Sequence, residues 1–382
     1  MKKQFMKNKV LLIDMGYLDY FQEFSAACME QVDTTIVTKY HVDTRMENIK
    51  RLFYKYSDRM KEGKWRKLLR LLEYICGYYK VYKLVKTNEY DIIHIHWFVV
   101  PVVDRIMALK LKKHCKRLVY TAHDVIPHIL KKKSVETFRN LYDIPDKIIV
   151  HGMECYDEFK KYYPEYIDKV YIQEFGVNKK NDNPINICCN LVGLKEKIDS
   201  SRRVFSFIGQ IFYNKGLDRL LDYWIENKED SDDLLVVVGN IREHYDGLDA
   251  RLKVLKEYKN TFLCLRKFSI EEECYLYKTS DLVILPYRHA SMSGVFFSAA
   301  QYNKTVLITD VGCLKEYVPN REHVFICENT DEHFYNEMKN IDECYTKWEL
   351  NELGVCFSND IYEKYQWNKI LKNLIEKCYF IE

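Results

Sequence analysis

DLVILPYRHASMSGVFFSAAQYNKTVLITDVG, residues 281–312, decides the fold. It opens with an apolar run that ends at Pro286-Tyr287, and closes with a second apolar run from Thr305. Between them GVFFSAAQY, from Gly294, has the composition of a buried helix. Strand, turn, helix and strand in that order predict a parallel βαβ unit whose strands are covered on both faces. The polar turn carries Arg288, Ser291 and Ser293 just ahead of the helix. A helix N-terminus presents bare amides and a positive dipole end, which suits an anion such as a diphosphate. Gly294 would let such a ligand come close to the backbone. A serine N-cap with no ligand reads the same residues, because such junctions are common.

The same alternation runs along the whole chain. VLLID (10–14), TTIVTK (34–39), DIIHIHW (91–97), RLVYTAH (117–123), KIIVHG (147–152) and KVYIQEFG (169–176) read as strands. A second series follows with RVFSFIGQ (203–210), DLLVVVGN (233–240), TFLCLRKF (261–268), DLVILPY (281–287) and TVLITDVG (305–312). Residues 179–203 between the series are polar, with Asn-Pro and Asp-Ser turn chemistry, and read as a linker. The expected fold class is α/β: two doubly wound parallel-sheet (Rossmann-like) domains facing across a cleft, with ligands at the carboxyl ends of the strands.

Composition bounds the function. At 382 residues the chain exceeds one ordinary core, and 47% hydrophobic with 30% charged residues is globular. A net charge of +3 does not argue for nucleic acid as a partner. The thirteen cysteines form no C-x-x-C pair, so they read as small buried hydrophobes in a reducing cytoplasm. The N-terminus resembles a signal peptide, but Asp14 breaks its short apolar run, and Val10–Ile13 reads as a first strand. No apolar run reaches the roughly 18 residues needed to span a membrane.

Three further stretches carry chemistry. In FSFIGQIFYNKGLDRLLDYW (205–224) Lys215-Gly216 precedes an amphipathic helix. A lysine there adds charge to an already positive dipole end, a conflict that a bound anion would remove; a solvated surface lysine is the plain alternative. In RLVYTAHD (117–124) a buried strand delivers His123 and Asp124 to its carboxyl end, as a polar contact for a sugar and a carboxylate near an attacking hydroxyl, or as a mere loop cap. His96 and Trp97 end the neighbouring strand, and the histidines lack the acidic partner a zinc site would want. Residues 50–86 are basic and aromatic: Trp65, Leu68, Leu69, Leu72, Ile75, Cys76 and Tyr79 share one side of a helical wheel, with Arg66, Lys67 and Arg70 opposite. Either an anionic membrane surface or an ordinary domain packing explains that pattern.

Taken in order, these features resemble a bacterial glycosyltransferase of the GT-B fold, close to the family 4 and family 1 enzymes of capsular or exopolysaccharide assembly. HIHW and VYTAHD match the acceptor half, FIGQIFYNKGLDRLL the donor-half entry, residues 281–318 the donor-binding segment, and YQWNKILKNLIEKCY the closing helix. The resemblance implies domains at 1–180 (acceptor) and 203–360 (nucleotide-sugar), a linker at 181–202, and a helix at 361–382 packing back on the first domain. It implies a retaining hexosyltransferase, dependent on a nucleotide-sugar and independent of metal or other cofactor. The acceptor would be a glycan or lipid-linked oligosaccharide in surface polysaccharide assembly, reached from the cytoplasm or the inner membrane face. Catalytic roles fall to His123, Asp124 and Lys215. Donor contacts fall to Gln210, Lys215, Arg288, Ser291, Ser293, Gly294, Val295 and Glu316, and the acceptor side to Gly16, His96 and Trp97.

The sequence departs from the family in two places. Gln210 stands where an arginine is usual, and Arg288 is the candidate to supply its charge. The usual glutamates eight apart fall on Ala290 and Ser298, or on Ser291 and Ala299, so neither acid is present. A catalytically silent GT-B protein that binds a partner transferase or glycan is the alternative these departures raise.

Overall fold

The computed structural model of the chain describes residues 8–16, 19–42, 46, 48–126, 133–177 and 191–380. They fall into two compact units, residues 1–176 with 367–382, and residues 177–366. Residues 179–190 of the polar stretch read as a linker lie outside the described residues.

Unit 1 runs β1 (Lys9–Ile13), α1 (Asp19–Gln31), β2 (Asp33–Lys39), β3 (Ile49–Phe53), α2 (Lys64–Thr87), β4 (Tyr90–Ile95), α3 (Pro101–Lys112), β5 (Cys115–Thr121), α4 (Lys133–Tyr142), β6 (Lys147–Val150), α5 (Met153–Tyr162) and β7 (Val170–Ile172). Its seven parallel strands lie in the order β3-β2-β1-β4-β5-β6-β7. Unit 2 runs α6 (Leu194–Asp199), β8 (Val204–Ile208), α7 (Leu217–Asn227), β9 (Leu234–Val238), α8 (Leu248–Lys256), β10 (Thr261–Cys264), α9 (Ile270–Thr279), β11 (Leu282–Leu285), α10 (Gly294–Gln301), β12 (Thr305–Thr309), β13 (Phe325–Cys327), α11 (Asp331–Cys344) and α12 (Lys347–Lys364). Its six parallel strands lie in the order β10-β9-β8-β11-β12-β13. The last helix, α13 (Trp367–Leu374), belongs to unit 1, where Trp367 Nε1 donates to Glu23 on α1 at 3.0 Å and the Arg117 guanidinium binds the Cys378 carbonyl at 2.6 Å.

Both units are therefore doubly wound parallel sheets, as the apolar runs predict. Every residue of β8 and β9 is buried, because helices cover both faces of the sheet. On α7 the stripe Leu217, Leu220, Leu221 and Trp224 seals one face. Two strands were not read from the sequence. β3 (IKRLF) is an edge strand, whose Lys50 and Arg51 disguise it within the basic stretch, and β13 is three residues long at the opposite edge of the other sheet. The acidic run at 229–233 is anchored at its end, since Asp233 is buried and accepts from Arg202, Arg203 and Lys228 at 2.7–3.0 Å. Burial alone would raise the Asp233 carboxyl, and the three cations reverse that and hold it below the usual range.

Candidate functional site

In unit 2 the strand order reverses between β8 and β11, and the loops that leave their carboxyl ends part there. Glycines let those loops close up. Gly209 follows β8 at φ +133°, and a Cβ on Gly239 would lie 1.7 Å from the Gly209 carbonyl oxygen. Gly216, at φ +63°, is wedged so that a Cβ would meet the Pro286 carbonyl at 1.9 Å. This wedge seats the Lys215-Gly216 turn directly on the loop after β11.

The consequence is a compact group of four residues. The Lys215 ammonium sits 3.7 Å from the centre of the Tyr287 ring. The Tyr287 hydroxyl lies 3.2 Å from Ser293 Oγ, at the N-terminus of α10. Ser293 occupies the N-cap position, yet its hydroxyl makes no capping bond to the first turn. The serine cap weighed from sequence is not formed, and its hydroxyl is turned to the tyrosine instead. Space above Gly294 is open: a Cβ built there meets nothing within 4 Å. Val295, on the same turn, faces Gly209, whose Cβ would lie 3.5 Å from Val295 Cγ2. Among the described residues no carboxylate pairs with Lys215, which is only half-buried.

Other candidates sit around this group with different commitments. Arg288 does not point a free guanidinium at the turn, because it grips Asp218 through two bonds of 2.6 and 2.7 Å. Burial works against its charge, and the Asp218 carboxylate more than offsets that, holding it above its ordinary range. An anion would have to compete with that fork, so the charge assigned to Arg288 in place of the missing arginine is already engaged. Gln210 is exposed in the loop after β8. Asn214 braces the turn, accepting from the Arg288 amide at 2.8 Å. Ser291 accepts from the Cys313 amide at 3.4 Å through its carbonyl. Glu316 is half-buried in the turn after β12, where its carbonyl accepts from the Tyr365 hydroxyl at 3.2 Å. Of the positions where acids are usual, Ala290 and Ala299 are buried.

Unit 1 gathers a different chemistry at the carboxyl ends of its strands. His94 lies on β4 and His96 just follows it, His123 follows β5, and His151 follows β6. Their rings pack in sequence, with centroids 4.1 Å apart for His94–His96, 5.8 Å for His96–His123 and 5.1 Å for His123–His151. Trp97 stacks on His123 at 4.5 Å and 19°. Burial pushes all four imidazoles toward the neutral form, His151 down to about 4.

Neutrality fixes a tautomer. The Gln173 carbonyl, 3.1 Å from His151 Nδ1, can only accept, so that nitrogen carries the proton. His151 Nε2 is then a bare acceptor, and His123 Nδ1, 3.1 Å away, must donate to it. His123 Nε2 is left as a buried lone pair with no hydrogen-bond partner among the described residues. That nitrogen can accept from a hydroxyl and cannot donate. Asp124 follows in a half-buried bend, and the Gly16 amide donates to Asp14 at 2.6 Å after β1. Among the described residues no three His, Cys, Asp or Glu side chains are grouped to hold a metal ion.

Sequence reasoning missed Tyr287, Asn214 and Asp218 in unit 2, and His151, Gln173 and Tyr20 in unit 1. Tyr20 packs 5.3 Å from His123 and receives the Gln173 amide at 3.1 Å. The available sign was the repetition of histidine just past three successive strands.

Comparison with known proteins points in one direction for both units. Residues 20–179 match the family described as Glycosyltransferase Family 4, and residues 202–342 match Glycosyl transferases group 1. An uncharacterized glycosyltransferase of Methanocaldococcus jannaschii is 24% identical over 319 residues, 76% of each chain. The Escherichia coli UDP-Gal:alpha-D-GlcNAc-diphosphoundecaprenol alpha-1,3-galactosyltransferase is 26% identical over 263 residues, 66% of each chain. Among solved structures, Anabaena HepE in complex with UDP and glucose superposes with a TM-score of 0.69 at 14% identity, covering 96% of this chain and 98% of that one.

Proposed function

Since the chain belongs to the GT-B glycosyltransferases of the family 1 and family 4 type, we propose that it moves a hexose from a nucleoside-diphosphate donor to a hydroxyl of a glycan or lipid-linked oligosaccharide. One observation carries the reading: Lys215, an ammonium that no carboxylate pairs with among the described residues, shares the Tyr287 ring with the uncapped, open N-terminus of α10.

In the reaction the bond from the sugar's anomeric carbon to the diphosphate oxygen breaks, and the diphosphate leaves with the electron pair. The acceptor oxygen bonds to the anomeric carbon and gives up its proton. Charge therefore grows on the diphosphate, where the amides of Gly294 and Val295 and the Lys215 ammonium stabilise it without a metal ion. His123 contributes a lone pair for a sugar hydroxyl, and Asp124 a carboxylate for the acceptor proton. Retention at the anomeric carbon is what the family resemblance implies. The E. coli relative acts, by its name, on a diphosphoundecaprenol-linked sugar. That supports a lipid-linked acceptor in surface polysaccharide assembly, met at the cytoplasmic face of a membrane.

Release of UDP, GDP and other nucleotides from a panel of donors, with membranes as acceptor, tests the reading. Wild type releases one nucleotide with transfer to lipid, and Lys215→Ala loses about a hundredfold or more. The missing acids at 290/298 and 291/299 favour one alternative, a silent binding protein; nucleotide binding with no release under any acceptor would establish that instead.

A further inference from the structure

Helix α2 buries the face opposite to the one its composition suggests. Its inward residues are Tyr74, Gly77, Tyr78, Val81 and Val85, packed on β3 and α3. Gly77 permits this, because a Cβ there would fall 2.3 Å from the Phe53 ring. The stripe Trp65, Leu68, Leu72, Ile75 and Tyr79 consequently faces solvent, with Trp65 78% and Leu72 52% exposed. Helix α3 lies beside α2, joined by the Tyr74–Asp104 bond and by Tyr82 packing 5.5 Å from His114. It too turns an apolar row outward: Val102, 72% exposed, then Ile106 and Leu109.

The net charge on these helices is positive. Helix α2 (KWRKLLRLLEYICGYYKVYKLVKT) has seven lysines and arginines against Glu73, and α3 (PVVDRIMALKLK) has three against Asp104. These two acids leave the net charge strongly positive. Glu73 is bound to the Tyr56 and Ser57 amides, and Asp104 is buried against Tyr74. Exposed lysines stand beside rings, Lys83 4.7 Å from the centroid of exposed Tyr79 and Lys110 5.8 Å from that of half-buried Tyr82. Apolar side chains pointing out, amphipathic aromatics among them, and ammonium heads at the rim are what a helix pair resting at a bilayer interface requires.

We propose that the outward faces of α2 and α3 together dock unit 1 on an anionic lipid bilayer, the stripe entering the interface and Lys80, Lys83 and Lys110 meeting lipid phosphates. The partner is lipid rather than protein on grounds of charge: Glu62 and Asp58 are already paired with Arg66 and Arg70, which leaves Lys67, Lys80, Lys83 and Lys110 exposed around the apolar stripe, so a second copy would bring like charges together. The inference concerns unit 1 alone and does not require the transfer reaction.

Flotation of the full chain with vesicles of phosphatidylcholine, with and without phosphatidylglycerol, tests it with no donor or acceptor present. Wild type floats with the anionic vesicles, floats weakly with neutral ones, and is released by salt. Replacing Lys80, Lys83 and Lys110 by Gln lowers anionic binding by roughly fivefold per lysine. Leu72→Ser with Ile106→Ser lowers it on both vesicle types while the melting temperature holds. The inference is overturned by no binding to anionic vesicles, by binding that neither variant changes, or by a dimer in solution that Leu72→Ser with Ile106→Ser dissociates. Nucleotide binding measured on the same samples separates its failure from failure of the transferase reading.

Discussion

Helices α7 and α2 both carry an apolar stripe at helical spacing, and they use it in opposite ways. On α7 Leu217, Leu220, Leu221 and Trp224 are fully buried against the sheet of unit 2. On α2 the stripe led by Trp65 faces outward, and the sheet side is built from tyrosines, a glycine and valines. The difference teaches that a hydrophobic period identifies a face but not its partner. On α7 the other side is polar, so only one orientation is open. On α2 both sides can pack, and the close fit of Gly77 on Phe53 with the Tyr74–Asp104 bond chooses between them.

Substitution tests that contrast directly. Trp224→Ala removes the largest side chain from a closed core and should destabilise unit 2 by about 3–5 kcal/mol, read by urea unfolding. A loss under about 1 kcal/mol would mean that α7 is not packed as described.

The next effect belongs to the polar inner face of α2. Burial raises the Asp104 carboxyl from 3.8 to about 7, with the Tyr74 bond working against it. An acid whose folded value lies above its unfolded value favours the folded state fully at low pH. That contribution is lost as pH climbs from about 4 to about 7, by up to about 1.4 kcal/mol per pH unit. Wild-type stability minus that of Asp104→Asn should therefore fall with pH across this window. A flat difference would remove the buried acid from the account.

The smallest effect is the counterpart of the first. Trp65→Ala should change stability by no more than about 0.5 kcal/mol, since the ring is exposed. A drop approaching that of Trp224→Ala would show that the outer stripe is covered and erase the contrast.

Much of the fold was legible, because fully apolar runs such as VFSFI and LLVVV leave a strand no solvent-facing side. β3 escaped because an edge strand tolerates Lys50 and Arg51, and β13 because three residues carry no period. In the candidate site, Lys215 and Gly294 were readable from their turns, since a turn is a local event in sequence. What joins them was not: Tyr287 lies between two loops that only the βαβ winding brings together. Arg288 misled for the same reason. Its charge is visible in the sequence, and its capture by Asp218, seventy residues away, is a property of the packed chain. The histidine array needed three parallel strands in register before His151 could fix the proton on His123.

Calorimetric titration of nucleoside diphosphates into wild type, Lys215→Ala and Gly294→Val tests the central claim most directly. The anion cradle of unit 2 predicts binding to wild type, a loss of about ten- to a hundredfold in Lys215→Ala, and no measurable binding once a side chain fills the space above Gly294. Wild-type affinity in both variants, each still folded, would contradict it.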